Sequence, residues 1–465
     1  MITTAKVAFH RKCALSWIGP DKAARLSWQC VENVWSVRSS PQSQRRNFSD
    51  VSSGERLPFS KSSLGLDRNF IIPSLSMIRQ LPEVSSSWTD FPLPKTLDNL
   101  HRAVDVFGSF QKAGKEHLAV NALLAETLHR NGLYDEAVLA LDEMKHLLEQ
   151  NNASTVDSNH ASDDILLAKA KVLWTKGEFS QCQELCESMI SQYDDIRESF
   201  PTTPLHLASA MSGKALAQLA AMNSIDGAFS VRDYFRITIK FLERHPSSRN
   251  SLPLAAAYAN SGTAEAVYNN FLETTNGVTV PINAALKAWF QGLQLTERDR
   301  SEESLGPHLT KASKALQGTI QANLAWGILN CEKDRSDRLK KASEYAKQGL
   351  DALGHDTSFE EEGIRRVLAV VATCYHQAGS AVTAEGLFQS STTRKHMPTS
   401  PLGSLELQDA LLEYSKLCAA WEKREGDAKR LEKESSEMNE RLPQGWRGKS
   451  GIHSSLWFWT PEDFH

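Results

Sequence analysis

The sequence predicts an all-α protein, an α-solenoid of stacked antiparallel helix pairs. From Thr96 onward, apolar residues recur with helical spacing, and turn residues interrupt them at intervals without the alternating polarity of strands. The stretch NGLYDEAVLALDEM, from Asn131 to Met144, aligns position for position with KGEFSQCQELCESM, from Lys176 to Met189. Each copy follows another helical stretch. A repeated helix-turn-helix unit therefore organises this part of the chain.

A third copy, VLAVVATCYHQAGSAVTAEGLF, places Gly379, Ala384 and Phe388 at the corresponding positions. The units resemble the tetratricopeptide repeat, in which a glycine turns the chain and a small residue lets the two helices approach closely. The resemblance covers most of residues 96–442 and implies about seven helical pairs. It also implies a curved body whose concave groove is lined by the first helix of each pair.

The first 48 residues have the composition of a mitochondrial transit peptide. They contain eight basic residues and two acidic ones, whereas the rest of the chain has about ten more acidic than basic residues. The stretch from Arg46 to Ser49 resembles the mitochondrial processing pattern, which predicts a mature start near Ser49 and a matrix location. A plastid location and a merely disordered basic terminus are the alternatives. Residues 49–95 are rich in Ser and Pro and are interpreted as a linker.

No catalytic or metal-binding motif appears in the chain. The sequence lacks the patterns of phosphate-binding loops, nucleophile elbows, zinc proteases and dinucleotide-binding turns. Cys182 and Cys186 are four residues apart, but no further ligand cluster accompanies them, so buried structural thiols are the preferred interpretation. We therefore expect a protein that is not an enzyme and that needs neither a cofactor nor a metal.

Composition also limits the classes of partner. No run approaches the roughly 18 apolar residues of a membrane helix, so no transmembrane span is expected. The acidic body and the irregular spacing of the repeats make nucleic acid an unlikely partner. An organellar RNA-processing or RNA-binding repeat factor stays as the alternative, because pentatricopeptide arrays read RNA with similar helix pairs. A degenerate enzyme or its regulatory subunit is the third class.

The leading hypothesis is a non-catalytic protein-binding scaffold, acting as a mitochondrial adaptor or assembly factor. The resemblance implies that a peptide or helix of a protein partner lies in the concave groove. Neither the identity of the partner nor the oligomeric state follows from the sequence. The groove residues that the resemblance implies are Glu126, His129, Arg130, Lys171, Trp174, Arg366, Thr373 and His376.

Two further expectations concern the turns and the end of the chain. Gly132, Gly177 and Gly379 are predicted to end helices in the left-handed conformation. Residues 443–465 form an aromatic tail, in which Pro461 opposes a further helix and the rings are too apolar for water. Packing of the tail back onto the array is the preferred interpretation. Docking of the tail onto a partner or a membrane surface is the alternative.

Overall fold

The computed structural model describes most of the chain between residues 115 and 461. The predicted leader, the predicted linker and residues 96–114 lie outside the described residues. The described ranges are 115–150, 156–196, 204–222, 225–244, 251–277, 281–301, 307–330, 335–353, 360–393, 398 and 400–461.

Fourteen helices in those ranges form seven consecutive pairs, and the described residues contain no strand. The all-α solenoid predicted from the sequence is therefore confirmed. The helices are α1 (Lys115–Arg130), α2 (Tyr134–Gln150), α3 (Val156–Lys176), α4 (Phe179–Ile196), α5 (Pro204–Ala221), α6 (Ile225–Arg244), α7 (Leu252–Asn276), α8 (Asn283–Ser301), α9 (Pro307–Leu329), α10 (Arg335–Leu353), α11 (Glu360–Gln377), α12 (Ala381–Ser391), α13 (Pro401–Ala419) and α14 (Glu425–Arg441).

The three predicted glycine turns adopt the left-handed conformation. Gly132, Gly177 and Gly379 have φ angles of 77°, 89° and 82°. At each turn the glycine N–H donates to the carbonyl three residues earlier, and the next N–H reaches back five residues, as from Glu178 to Leu173 at 2.9 Å. These paired hydrogen bonds form the Schellman motif, which satisfies the last carbonyls of a helix. The prediction for the turns is confirmed.

The first helices of successive pairs form the inner wall of the solenoid. From α3 through α5, α7, α9 and α11 to α13, each first helix packs against the next one, and α13 also touches α3. The second helices lie outside, each against the first helix of its own pair and that of the following pair. The inner wall therefore curves round until it encloses a channel, which we call the inner channel.

Helix α7 runs through the middle of the described array and consists largely of small residues. Ala255, Ala256, Ala257 and Ala259 are fully buried, because neighbours surround this helix on several sides. A β-carbon at Gly262 would lie 2.5 Å from Trp289 Cδ1, so close contact between α7 and α8 requires glycine there. Despite this apolar character, no helix in the described part has the uninterrupted apolar length that a bilayer crossing requires.

Candidate partner-binding surfaces

The inner channel is filled by residues 442–461, which are Leu442 and the described part of the predicted aromatic tail, and we call this segment the tail. After α14 the tail forms two short 3-10 turns, Gln444–Trp446 and Gly451–Ser455, and continues in extended conformation. The tail contacts first helices of several pairs and belongs to the same apolar core. Packing of the tail onto the array, predicted from its composition, is confirmed. Its buried apolar residues are Leu442, Trp446, Ile452, Leu456, Phe458 and Trp459.

Polar side chains of the inner wall hold the backbone of the tail. The Asn260 side chain donates from Nδ2 to the carbonyl of Trp457 and accepts from its N–H through Oδ1, both at 2.8 Å. Ser209 Oγ donates to the carbonyl of Trp459 at 2.7 Å, and the hydroxyls of Thr263 and Ser455 are 3.0 Å apart. Buried backbone groups need such partners. The inner wall thus binds an extended polypeptide by its main chain as well as by its side chains.

Trp446 packs the beginning of the tail against the turn between α3 and α4. Its indole N–H donates to the carbonyl of Thr175 at 2.9 Å. Its ring packs edge-on against Trp174 and Phe179, with centroid separations of 5.1 and 5.0 Å. A β-carbon at Gly177 would come within 3.1 Å of Trp446 Cδ1. The turn glycine therefore serves both the left-handed conformation and the contact with the tail.

Three titratable side chains, the buried Arg366 and His453 and the half-buried Asp409, lie where the tail meets α9, α11 and α13. Arg366 donates to the carbonyl of Gly451 at 2.7 Å and to Asn323 Oδ1 at 2.6 Å. Burial lowers the pKa of Arg366, while the nearby acids oppose that shift. Burial raises the pKa of Asp409, which packs against Gly451, to about 6. Burial and then Lys449 lower the pKa of His453 to about 4. The tail is therefore fixed to the array by charge-assisted hydrogen bonds as well as by aromatic rings.

Two of the predicted groove residues are covered by the tail. Trp174 packs against Trp446 and, at 5.7 Å, against Phe458, and Arg366 binds the tail backbone. Both side chains are buried, so the prediction that they face an open groove is wrong for these two residues. The resemblance placed them correctly on first helices. The resemblance could not show that the tail fills the inner channel, because the tail is distant from both residues in the sequence.

The other predicted groove residues lie at two separate places. On α1, Glu126 forms an ion pair with Arg130 at 2.9 Å, and His129 Nε2 lies 3.1 Å from Thr175 Oγ1 on α3. This hydrogen bond brings the α1 set close to the end of α3, the helix that also carries Lys171, whose side chain is half-buried. Far along the array, on α11, the hydroxyl of Thr373 donates to the carbonyl of Ala369 in its own helix, and His376 is half-buried. The eight residues therefore do not form one continuous surface.

The two cysteines of the second copy are packing residues. Cys182 and Cys186 are fully buried, and Cys186 Sγ lies 3.0 Å from the position of a β-carbon on Gly213. A hydrogen bond with Cys186, followed by burial, raises the pKa of the Cys182 thiol well above its usual value. The described residues hold no group of three His, Cys, Asp or Glu side chains arranged for a metal. Burial of these thiols agrees with the interpretation made from the repeat alignment.

An open groove lies on the outer face, between α6 and α8, with α7 as its floor. We call it the outer groove, and its volume is about 640 Å³. Arg236 and Lys240 lie on the α6 wall, Tyr258 and Ser261 on the floor, and Lys287 on the α8 wall. No sequence motif indicated this groove, because its walls belong to the weakly repetitive middle of the array.

Asn260 and Ser209 were also missed in the sequence. Each is a buried polar residue on an alanine-rich first helix, and buried polar groups need a hydrogen-bond partner. That is the signal from which a ligand of the inner wall could have been suspected. The sequence does not show that the ligand is the tail.

Comparison with known proteins adds little to this geometry. No protein-family model matches the chain, and no curated protein sequence matches it either. Among solved structures, the chain is similar to a monomeric mutant of IFIT1 with Gppp-AAAA, at 13% identity. The match covers 78% of this chain and 86% of the other, with a TM-score of 0.25. At that TM-score neither fold nor function carries over, and the assignment of the fold rests on the packing of the helix pairs.

Proposed function

We propose that this chain is a non-catalytic protein-binding scaffold of the tetratricopeptide kind. The observation that supports this proposal is that side chains of the inner wall form hydrogen bonds with the backbone of an extended segment. Asn260 binds both the N–H and the carbonyl of Trp457, which is how a helical-repeat surface holds an extended polypeptide without regard to its side chains. A fold that recognises main chain in this manner is suited to holding protein segments.

The filled inner channel bears on where a partner binds. Between α3 and α13 the tail occupies the surface that the resemblance assigned to a partner. An external segment therefore binds at the N-terminal part of the inner wall, near Glu126, His129, Arg130 and Lys171, or on the outer face. Arg130 is exposed, and His129 and Lys171 are half-buried, so a partner can reach these three side chains, whereas the carboxylate of Glu126 is buried.

The proposed place of action is the mitochondrion, most simply the matrix. Support comes from the basic, acid-poor composition of residues 1–48 and from the processing pattern that ends at Ser49. In that compartment the scaffold acts as an adaptor or assembly factor. Its non-catalytic character is inferred from the lack of a catalytic motif in the sequence.

The experiment is purification of the full chain from isolated mitochondria through a tag that follows a long flexible linker. We expect a small set of proteins at near-stoichiometric yield, retained after nuclease treatment and in moderate salt. A variant with Arg130→Glu and Lys171→Glu, which reverses two positive charges at the N-terminal part of the inner wall, is purified in parallel.

A preparation that retains RNA alone, and loses it as salt rises, contradicts the proposal and favours the RNA-binding class. A purified protein that turns over a small molecule contradicts its non-catalytic part. Loss of specific proteins in the Arg130 and Lys171 variant identifies the N-terminal inner wall as the binding surface. Retention of the same proteins places the binding surface elsewhere on the scaffold.

A further inference from the structure

The acidic residues in and beside the outer groove already have partners. Arg232 Nε lies 2.7 Å from Glu265 Oε1, and Arg236 lies 2.8 Å from Asp233. The phenol of Tyr258 donates to Glu243 at 2.8 Å. Burial and then Glu243 raise the pKa of Tyr258 to about 12, so the phenol keeps its proton. The two ion pairs neutralise Glu265 and Asp233, whereas the hydrogen bond from Tyr258 leaves the negative charge of Glu243 in place.

The two lysines of the groove are not paired in this way. Lys240 on α6 and Lys287 on α8 are exposed, and neither has an ion pair within the described ranges. Each stands on one wall, with the uncharged Ser261 on the floor between the walls. Two uncompensated positive charges thus face the same opening from opposite sides.

Each wall also carries an exposed apolar side chain close to its lysine. Ile237 is 48% exposed and lies three residues before Lys240, and Phe290 is 45% exposed and lies three residues after Lys287. Residues three apart are neighbours on a helix surface. Among the described residues, five large apolar side chains are exposed, and two of them lie on the two helices that form the walls of this groove. Apolar side chains of a segment seated in the groove can cover both, because removing apolar surface from water is favourable.

We infer that the outer groove binds an acidic amphipathic segment of a protein partner. Carboxylates of the segment pair with Lys240 and Lys287, and its apolar side chains pack between Ile237 and Phe290. This inference rests on the proposed function, and it specifies the surface and the chemistry of the partner. The partner is a protein segment because the remaining negative charge of Glu243 in the groove opposes a phosphate backbone, whereas a few well-placed carboxylates avoid it.

The test is selection of a displayed library of random peptides on the immobilised full chain, with four proteins in parallel. These are the wild type, the groove variant Lys240→Glu with Lys287→Glu, and the apolar variant Ile237→Ser with Phe290→Ser. The fourth is a control that reverses the same amount of charge on other second helices, Lys341→Glu with Lys429→Glu. All the substituted side chains are exposed, so circular dichroism should show unchanged folding.

We expect peptides that combine Asp or Glu with helically spaced apolar residues to be enriched on the wild type and on the control. The groove variant should bind those peptides at least about tenfold more weakly, because two attractions become repulsions. The apolar variant should bind them more weakly as well, with the charges intact.

Enriched peptides that bind the groove variant as tightly as the wild type would overturn the inference and leave the scaffold function standing. Failure to enrich any peptide on any of the proteins would count against both. Binding of a single-stranded RNA oligonucleotide that is lost only in the groove variant would also overturn the inference, since the groove would then take nucleic acid.

Discussion

Replacement of Trp446 by alanine tests whether the tail is part of the folded core. The side chain is fully buried, its indole N–H donates to the carbonyl of Thr175, and two aromatic rings meet it edge-on. The change removes all of these contacts at once and leaves a cavity at the turn between α3 and α4.

The expected loss follows from those contacts. Truncation of a buried tryptophan to alanine costs about 3 to 5 kcal/mol in a core that cannot collapse around the cavity. Within that figure, the hydrogen bond to Thr175 accounts for roughly 1 kcal/mol, and each edge-on aromatic contact for about 0.5 to 1.5 kcal/mol. Because interactions in repeat arrays are local, the structure should unfold first where the tail, α3 and α4 meet.

Urea unfolding followed by far-ultraviolet circular dichroism measures the free energy of unfolding, and the slope of the transition shows whether it stays cooperative. Trp446→Phe keeps a ring but leaves the Thr175 carbonyl without its donor, so we expect a smaller loss of about 1 to 3 kcal/mol. Trp457→Ala is the matched control. That side chain is half-exposed, and the two hydrogen bonds with Asn260 involve only its backbone.

The reasoning is refuted if Trp446→Ala unfolds within about 1 kcal/mol of the wild type, a change typical of surface positions. It is also refuted if Trp457→Ala costs more than Trp446→Ala. Either result would mean that the tail does not share the core of the array.

Three further predictions concern a turn, a titration and the N-terminus. Gly379→Ala should lower the free energy of unfolding by about 1 to 2 kcal/mol from left-handed strain alone, because nothing lies near its added β-carbon. Gly177→Ala should lower it more in the same urea unfolding assay, because its β-carbon would meet Trp446. In Asp409→Asn, the free energy of unfolding should fall as pH drops from 6.5 to about 4, since buried His453 is protonated there only in the unfolded chain. In His453→Gln, the free energy of unfolding should instead fall as pH rises from about 4 through 6, because native Asp409 keeps a proton that the unfolded chain has lost. A free energy of unfolding that does not change with pH in either variant contradicts both expectations. N-terminal sequencing of the organelle-purified protein should begin near Ser49, and an intact first residue would rule out the transit peptide.

The helix pairs and their turns could be read from the sequence because they depend on nearby residues. Helical spacing of apolar residues decides which faces are buried, and a glycine such as Gly132 or Gly379 is needed wherever a helix ends with positive φ. The burial of the tail was also predictable, because rings such as Trp459 cannot stay in water without cost. These properties belong to short segments, so one sequence is enough to infer them.

Where the tail lies was decided only in the tertiary structure. Trp174 meets Trp446, and Arg366 binds the carbonyl of Gly451, across sequence separations that no local pattern records. Lys240 and Lys287 line one groove because α6 and α8 both pack against α7, and the curvature of the array brings α13 back to α3 around the tail. Curvature sums many small packing angles between helices, and the sequence periodicity that predicts each helix contains no information about that sum.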